Sequence, residues 1–249
     1  MEIILSGCCG TMGHVLLKCA TGSAEYHIVA GVDSRKENAF PIPIFSAPEE
    51  INRKIDVLID FSNPSLLPSL LTYGTHHHVP LVLCTTGYSK EQIKDIEAAS
   101  KEVQIFFSGN MSLGINLLIE LAKTAAKVLG DSFDIEIVEK HHNQKVDAPS
   151  GTALMIADGI SSVLKTNMHY VYDRHSQRKK REHNEIGIHS IRGGTIVGEH
   201  DVIFAGPQEV LTISHSAQSK DIFALGALHA ASFLIQKAPG LYRMSDMIK

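Results

Sequence analysis

The sequence lacks any apolar segment long enough to cross a membrane and any surplus of positive charge. No uninterrupted apolar run of about 20 residues occurs, which argues against a transmembrane helix. The N-terminus runs straight into glycines, without the basic flank and apolar stretch of a signal peptide. With 23 Lys and Arg against 27 Asp and Glu, the formal net charge is −4, so no overall field attracts nucleic acid or an anionic membrane. We therefore expect a soluble, cytoplasmic protein whose partner is a small molecule.

The chain is also poor in cysteine, with four among 249 residues. Cys8, Cys9, Cys19 and Cys84 form neither a C-x-x-C pair nor the density of a disulfide scaffold, so we expect reduced and mostly buried thiols. Internal repeats and low-complexity segments are absent as well. A chain of this length and apolar content forms one large globular unit or two modest domains.

Short apolar segments alternate with helical patterns over the first hundred or so residues. Strand candidates at 2–6, 26–32, 57–60, 81–83 and 103–107, with a helix at about 90–101, predict a parallel, doubly wound sheet. After residue 111 the pattern changes. A long helix, roughly 113–129, is followed by a strand candidate at 135–139 and by alternating segments between 187 and 215, which predict antiparallel strands. A last helix, 221–235, is expected to pack back on the first domain.

Three glycines at three-residue spacing, Gly7, Gly10 and Gly13, lie between the first strand and the first helix. Glycines let the backbone approach a pyrophosphate, and the free N–H groups of a helix N-terminus bind its charge. Against the pattern G-x-G-x-x-G, Cys8 takes the place of the first glycine, so a simple turn is the alternative. Asp33 lies 20 residues beyond Gly13, where an acid accepts hydrogen bonds from an adenine ribose.

The residues around Asp33 leave the choice of dinucleotide open. Its carboxylate suits a free ribose, whereas Ser34, Arg35 and Lys36 offer a hydroxyl and two cations to a 2′-phosphate. NADH and NADPH are both compatible with this sequence. The alternative is that Asp33 is an ordinary turn residue at the end of a strand.

Residues 139–153, EKHHNQKVDAPSGTA, concentrate imidazoles, ammonium groups and a glycine-hydroxyl turn. The sequence Ser150 to Thr152 predicts a helix N-terminus, whose N–H groups and threonine hydroxyl suit a carboxylate. Lys145 with His141 or His142 adds positive charge, either as a carboxylate clamp or as a proton source beside a developing anion. A solvated polar loop is the alternative. A metal site is disfavoured because adjacent histidines rarely bind one ion together and no third ligand stands at a recognisable spacing.

The pattern E-x-H-H-x-x-K-x-D-A-P-S-G-T-A resembles the signature of 4-hydroxy-tetrahydrodipicolinate reductases. Further blocks similar to that family follow in family order, namely the glycine turn, Asp60 to Ser62, Thr85 to Gly87, Ser108 to Gly114, and Arg192 to His200. The resemblance implies an α/β protein with a Rossmann-like, parallel-sheet cofactor domain, residues 1–111 and 217–249. It also implies an inserted α+β domain for substrate binding and oligomerisation, residues 112–216.

The resemblance further implies an oxidoreductase that uses NADH or NADPH to reduce 4-hydroxy-tetrahydrodipicolinate to tetrahydrodipicolinate with loss of water. This reaction belongs to the diaminopimelate route of lysine biosynthesis. A homotetramer assembled through the sheet of the substrate domain is implied as well.

By matching positions, the resemblance assigns individual residues. His141 would be the proton donor position and Lys145 the second catalytic cation, and which of the two is the acid stays open. The dicarboxylate substrate would be bound by His142, Gly151 and Thr152, and no metal is expected. The cofactor-binding residues would be Gly7, Cys8, Cys9, Gly10, Thr11, Met12, Asp33, Cys84, Thr85, Thr86, Ser108, Gly109, Asn110 and Met111.

Two charged clusters outside these blocks are predicted to lie on the surface. The run His76 to His78 stands between a helix and a strand, where a polar loop is expected rather than a metal site. The basic run Arg174 to Arg181 lacks interleaved aromatics, which favours a solvated or substrate-facing loop over nucleic-acid binding. Two rival functions are another two-domain nicotinamide dehydrogenase acting on a small acid, and a non-catalytic nucleotide sensor on the same fold.

Overall fold

A computed structural model describes residues 1–35 and 41–248 of the chain, in two compact units. Unit 1 comprises Met1–Leu113 and Lys220–Lys249, and unit 2 comprises Gly114–Ser219. Within the described ranges, none of the helices combines the length and the apolar content that a bilayer crossing demands.

Unit 1 is built on a seven-stranded sheet in which every pair of neighbouring strands is parallel. Its strands are β1 (Glu2–Ser6), β2 (His27–Val32), β3 (Ile44–Phe45), β4 (Val57–Asp60), β5 (Leu81–Leu83), β6 (Gln104–Phe107) and β12 (Gly240–Tyr242). Their order across the sheet is β12-β6-β5-β4-β1-β2-β3. Its helices are α1 (Thr11–Ala20), α2 (Leu67–His77), α3 (Lys90–Ala99), α6 (Asp221–Leu234) and α7 (Met244–Met247).

Alternation along the strands of unit 1 builds one apolar core on each face of the sheet. Ile3 and Leu5 of β1 belong to the cluster that includes residues of α1 and α6. Ile4 and Leu58 belong to the opposite cluster, with residues of α2 and α3. The strands β4 and β5 are buried throughout, as expected for central strands covered by helices on both faces. The prediction that α6 packs on the first domain is confirmed, because it contacts α1, β4, β5 and β6.

Unit 2 contains a five-stranded mixed sheet with helices α4 (Leu113–Leu129) and α5 (Gly151–Ser161). Its strands are β7 (Asp134–His141), β8 (His169–Val171), β9 (Glu185–Arg192), β10 (Gly198–Ala205) and β11 (Val210–Ala217), in the order β11-β10-β7-β9-β8. Apolar residues of α4 and α5 pack with Ile135, Ile137 and Phe204 in one core. Strand β7, at the centre, presents Glu139 and His141 on its buried face.

Two expectations about local structure were wrong. Strand β9 pairs in parallel with β7 and β8, although its alternating sequence was interpreted as part of an antiparallel set. Strands β9 and β10 are not neighbours, because β7 lies between them. The histidine run was expected in a loop, but His76 and His77 form the last turn of α2, and His78 follows in the left-handed region with φ +52°.

Candidate active site

The glycine turn after β1 brings the backbone close to the neighbouring strand. Gly7 has φ +77° and donates its N–H to the carbonyl of Val32 at 2.8 Å. A Cβ atom at Gly7 would lie 2.6 Å from the carbonyl oxygen of Phe61, so only glycine fits. Gly10 stands at the N-cap of α1 and offers no side-chain acceptor to the first turn. Such a helix start is suited to bind the charge of a phosphate.

Asp33, directly after β2, is buried beside this turn. Its Oδ2 accepts the N–H of Cys9, and its Oδ1 accepts the N–H of Arg35, each at 3.0 Å. A cavity of about 440 Å³ is lined by Gly7, Gly10, Asp33, Ser34 and Arg35, among others. This volume lies in the range of small-ligand sites. The structure therefore brings the predicted pyrophosphate turn and the predicted ribose acceptor together, whereas Lys36 lies outside the described residues.

A buried carboxylate joins two of the sequence blocks at the ends of β4 and β5. Asp60 is fully buried and accepts the hydroxyls of Ser62, at 2.5 Å, and Thr85, at 2.7 Å. Burial raises the pKa of Asp60, although these hydroxyls favour its charged form. Asp60 was quoted as part of a motif but was not assigned to the site. Its position holds Thr85 at the carboxyl edge of the sheet.

The remaining predicted cofactor residues of unit 1 meet at the same sheet edge. The N–H of Ser108 donates to the carbonyl of Leu83 at 3.2 Å, and Ser108 Oγ donates to the carbonyl of Asn110 at 2.8 Å. A Cβ at Gly109 would lie 3.6 Å from the Thr86 methyl group. In open parallel sheets, ligands bind outside the carboxyl ends of the strands. The two blocks therefore stand where that rule places a dinucleotide.

Three of the four cysteines are buried. Cys8, Cys9 and Cys84 have side chains in the core, and Cys19 is partly exposed. Burial raises the pKa of the Cys8 thiol to about 12 and also raises that of Cys84. The expectation of mostly buried cysteines is confirmed. Their side chains are placed for packing, so a cofactor contact at Cys8 or Cys84 would use the backbone.

In unit 2, Glu139 is a fully buried carboxylate surrounded by donors. Its oxygens accept two guanidinium N–H groups of Arg192, at 2.7 and 2.8 Å, and the N–H of Ser150 at 3.0 Å. His141 Nδ1 lies 2.6 Å from Oε2. Burial alone would raise the pKa of Glu139, but the hydrogen bonds, above all those from Arg192, hold it at about 2. Neither Glu139 nor Arg192 was assigned to the site from the sequence.

His141, the predicted proton donor, is 9% exposed at the end of β7. Burial lowers its pKa, and the neighbouring Glu139 partly opposes this by stabilising the imidazolium. The positive charges of Lys145 and Arg192 lower it further. Lys145 lies in the loop directly after β7, so the structure places the two predicted catalytic residues in one segment of unit 2.

Lys145 is held in the loop after β7 by a neighbouring acid. Its ammonium donates to both carboxylate oxygens of Asp147, at 2.7 and 2.9 Å. This ammonium is the main reason that the pKa of Asp147 is lowered. The loop is fastened to β9, because Arg192 donates to the carbonyl of Asp147 at 2.7 Å. The peptide bond between Ala148 and Pro149 is cis.

The predicted carboxylate site lies at the N-terminus of α5. Ser150 is the N-cap, and its Oγ accepts the N–H of Ala153 at 3.1 Å. No atom of the described residues outside its immediate surroundings lies within 4 Å of a Cβ built on Gly151, so there is open space beside this residue. The carbonyl of His142 accepts the N–H of Lys145 at 3.1 Å. The helix start predicted from Ser150 to Thr152 is confirmed.

A second histidine of unit 2, which the sequence did not single out, contacts this site. His200 on β10 is buried, and its Nε2 lies 3.1 Å from Ser150 Oγ. Its ring meets that of His141 edge-on, with centroids 5.3 Å apart. Burial, with the neighbouring His141, lowers the pKa of His200 to about 4. His200 is the last residue of the quoted block Arg192 to His200, which was the available signal.

The basic run of unit 2 is exposed, and two of its arginines form ion pairs with the sheet. Arg174 pairs with Glu185 and Glu136, at 2.7 and 2.8 Å. Arg181 donates to Asp134 at 2.7 Å and to Glu136 at 3.1 Å. These ion pairs fasten the segment to β7 and β9, while residues 174–180 stay exposed outside any helix or strand, so the expectation of a solvated loop is confirmed there and only Arg181 is half-buried.

Two family models match the chain. The dihydrodipicolinate reductase N-terminus matches residues 1–111, and the dihydrodipicolinate reductase C-terminus matches residues 114–248. The 4-hydroxy-tetrahydrodipicolinate reductase of Caldanaerobacter subterraneus subsp. tengcongensis is 56% identical over 251 residues, which cover 100% of this chain and 98% of that protein. That of Clostridium tetani is 50% identical over 248 residues, covering 100% and 97%.

Solved structures share the fold. The dipicolinate-bound dihydrodipicolinate reductase from Paenisporosarcina sp. TG-14 superposes with a TM-score of 0.83 at 23% identity, covering 100% of this chain and 99% of that one. A myo-inositol dehydrogenase from Corynebacterium glutamicum superposes with a TM-score of 0.60 at 16% identity, covering 96% and 90%. These likenesses support the Rossmann-like architecture of unit 1 and the added mixed sheet of unit 2.

Proposed function

The chain belongs to the dihydrodipicolinate reductase family, and from this premise we propose that it reduces 4-hydroxy-tetrahydrodipicolinate to tetrahydrodipicolinate with a nicotinamide dinucleotide. The observation that carries the proposal is the site of unit 2, where His141 and the N-cap of α5 contact one buried carboxylate, Glu139, and Lys145 lies in the loop between them. A simple solvated loop would not require a buried acid with a pKa of about 2.

The dinucleotide is proposed to bind at the carboxyl edge of the unit 1 sheet. The residues from Gly7 to Met12 would hold the pyrophosphate, and Asp33 the adenine ribose. The nicotinamide side would be held by Cys84, Thr85 and Thr86 with the block from Ser108 to Met111. When bound, the nicotinamide supplies a hydride. Asp33 offers an acceptor to a free ribose, and Arg35, whose Nε lies 3.5 Å from it, offers a cation to a 2′-phosphate, which supports the use of either NADH or NADPH.

The reaction requires a proton source in unit 2. Loss of the 4-hydroxyl as water leaves a conjugated cyclic imine, and hydride addition at C4 moves negative charge toward the ring nitrogen and C3. One proton delivered to C3 completes the reduction. His141 and Lys145 are proposed to supply this proton and to neutralise the negative charge on the ring, because an imidazolium and an ammonium can each donate a proton or balance an anion.

The two carboxylates of the substrate are proposed to bind His142 and the first turn of α5. At this turn Gly151 leaves space and Ser150 fixes the helix start, so the positive end of the helix would favour an anion bound there. Thr152 adds a hydroxyl. The dicarboxylate charge would also be balanced by Lys145.

Three broader assignments accompany the reaction. Residues 1–111 and 217–249 are proposed to form the dinucleotide-binding domain, and residues 112–216 the substrate-binding and oligomerisation domain. The protein is proposed to act in the cytoplasm, as a homotetramer, in lysine biosynthesis through diaminopimelate. Location and assembly stay predictions of the family resemblance.

The test is consumption of NADH and of NADPH, followed at the nicotinamide absorbance, with freshly generated 4-hydroxy-tetrahydrodipicolinate. We expect turnover by the natural protein and a loss of about 10²-fold or more in His141→Gln and in Lys145→Ala, the range for removal of a general acid. His183→Gln and Lys165→Ala, exposed positions of the same unit, are the matched controls and should keep full activity.

Tight dinucleotide binding without turnover would contradict the proposal and would favour a nucleotide sensor on this fold. Near-normal turnover in Lys145→Ala alone would remove Lys145 from proton transfer and leave His141 as the acid.

A further inference from the structure

We propose that Glu139 is a positioning residue that keeps the neutral His141 ring protonated on Nδ1, so that Nε2 is the atom that exchanges the reaction proton. This inference rests on the proposed function, and it adds a role that the motif does not assign. Glu139 touches neither the reacting atoms nor the cofactor in this scheme. It acts through the 2.6 Å contact with His141 Nδ1.

The hydrogen-bond donors around Glu139 allow only one direction for its hydrogen bond with His141. An ionised carboxylate accepts hydrogen bonds and has none to donate. Oε2 accepts from Arg192 Nη1 at 2.7 Å, and Oε1 accepts from Arg192 Nη2 at 2.8 Å and from the N–H of Ser150 at 3.0 Å. The contact with His141 must therefore be a donation from Nδ1–H to Oε2. The bond that one ring nitrogen makes fixes the protonation of the other, so Nε2 carries the lone pair in the neutral ring.

The other ring nitrogen of His141, Nε2, faces Gly198, which has no side chain. A Cβ atom on Gly198, the first residue of β10, would lie 3.1 Å from His141 Nε2. This separation is tighter than most real contacts of a Cβ atom, so a side chain at this position would crowd Nε2. Gly198 therefore leaves the space that a proton acceptor beside Nε2 would need.

Charged and titratable groups reach His141 from each element around it. Glu139 precedes it on β7, Lys145 lies in the following loop, Arg192 is on β9, and His200 is on β10. His200 stays neutral near pH 7 and contacts Ser150 Oγ, so it adds no charge. Glu139 is thus the negatively charged partner of His141, and it opposes the effect of the two cations, Lys145 and Arg192. Without it, the pKa of His141 would fall further, and the ring would lose the acceptor that fixes its orientation.

Strand β7 offers a matched control on its other face. Glu136 also accepts from a histidine, His189 Nε2 at 2.8 Å, and it pairs with Arg174 and Arg181. The same carboxylate-histidine-arginine chemistry therefore occurs twice on one strand, and only one copy is joined to the proposed proton donor. A loss of activity caused simply by breaking an ion-pair cluster on β7 would appear in both Glu136→Gln and Glu139→Gln.

The experiment combines kinetics with the NMR titration of histidine-labelled full-length protein. The ¹⁵N and ¹³C ring signals of His141 are assigned by their loss in His141→Gln. We expect the neutral ring of the natural protein to be protonated on Nδ1. In Glu139→Gln, kcat/KM should fall about 10²-fold, and its decline with rising pH should move to lower pH. In Glu139→Asp, which keeps the charge, the pH profile should stay near that of the natural protein although turnover falls. Glu136→Gln should match the natural protein in both measurements.

Dinucleotide binding to each variant verifies that unit 1 is intact. Should Glu139→Gln fail to fold, the ring signals of the natural protein and the pH profile of Glu139→Asp decide the question. Protonation on Nε2 in the neutral natural protein would overturn the proposal. So would an unchanged pH profile in a folded Glu139→Gln, or equal losses in Glu136→Gln. Absence of turnover in the natural protein would refute the proposed function, while the ring signals would still test the role of Glu139.

Discussion

Glu139 and His200 are buried ionisable side chains that the folded state keeps deprotonated, the first as a charged carboxylate and the second as a neutral ring. The pKa of Glu139 is depressed from 4.5 to about 2, so the stability it contributes is present above pH 4.5 and is lost as the pH falls toward 2. The pKa of His200 is depressed from 6.5 to about 4, because burial favours the neutral ring. Its contribution is therefore present above pH 6.5 and is lost as the pH falls toward 4.

We predict that the free energy of unfolding of unit 2 falls in two successive stages in acid. Each stage should be on the order of 3 kcal/mol, the linkage value for a shift of this size. The measurement is denaturant unfolding at intervals between pH 8 and pH 2. His200→Gln should flatten the upper stage, and Glu139→Gln the lower. His183→Gln, at an exposed position, is the control, and an upper stage unchanged in His200→Gln would contradict the prediction.

At the scale of residues, the motif contains the proposed reacting groups but does not indicate all of their partners. His141, Lys145 and the Ser150 turn follow from residue types within a few positions of one another. Arg192, which neutralises Glu139, lies 53 residues away in the sequence. The pairing arises because β9 lies beside β7 in the sheet, and a local pattern carries no information about that distance.

At the scale of elements, the start of α5 combines a structural and a functional role. Ser150 Oγ accepts the N–H of Ala153 and contacts His200, and the following turn is the proposed carboxylate site. In unit 1, Ser89 caps α3 in the same way, with Oγ accepting the N–H of Gln92 at 3.2 Å. Comparing variants of the two serines therefore distinguishes the stability lost with a helix cap from the effect of that cap on substrate binding.

We predict that Ser150→Ala and Ser89→Ala each lose about 1 kcal/mol of stability, the usual cost of a serine N-cap. Only Ser150→Ala should raise KM for the dicarboxylate, by about tenfold, because only this helix start is proposed to bind it. Denaturant unfolding and steady-state kinetics on both variants check the two effects. Equal KM values in the two variants would show that the substrate carboxylate does not bind at the first turn of α5.

The order and type of the elements were largely predictable, whereas the direction of strand pairing was not. Period-two alternation in the sequence correctly indicated a strand at β9. The burial of this strand does not alternate, because residues 185–188 are all buried and residues 189–192 are half-buried or exposed. The same alternation occurs in parallel and antiparallel strands, so it could not show that β9 runs parallel to β7. The polar run His76 to His78 was interpreted as a loop because it stands between a helix and a strand, but histidines do not signal where a helix ends, and α2 continues to His77.

At the scale of the whole molecule, the sheet of unit 2 ends in a strand that is open on its outer side. Strand β11 pairs only with β10 among the described residues, and Val210 and Leu211 are 63% and 43% exposed. An exposed apolar edge strand promotes uncontrolled association unless another chain or element covers it. The family resemblance implies a homotetramer formed through this sheet, and such an assembly would cover the edge with copies of the same chain.

We predict that the protein sediments with four times the 27.2 kDa mass of one chain. The double variant Val210→Lys, Leu211→Lys should sediment as a smaller species, because lysines on an edge strand oppose pairing with another sheet. Val128→Lys, which changes a 78% exposed apolar residue at the end of α4, is the matched control and should keep the natural mass. A monomeric natural protein, or a double variant of unchanged mass, would mean that β11 is not the assembly surface. In that case the exposed valine and leucine would serve some contact other than self-association.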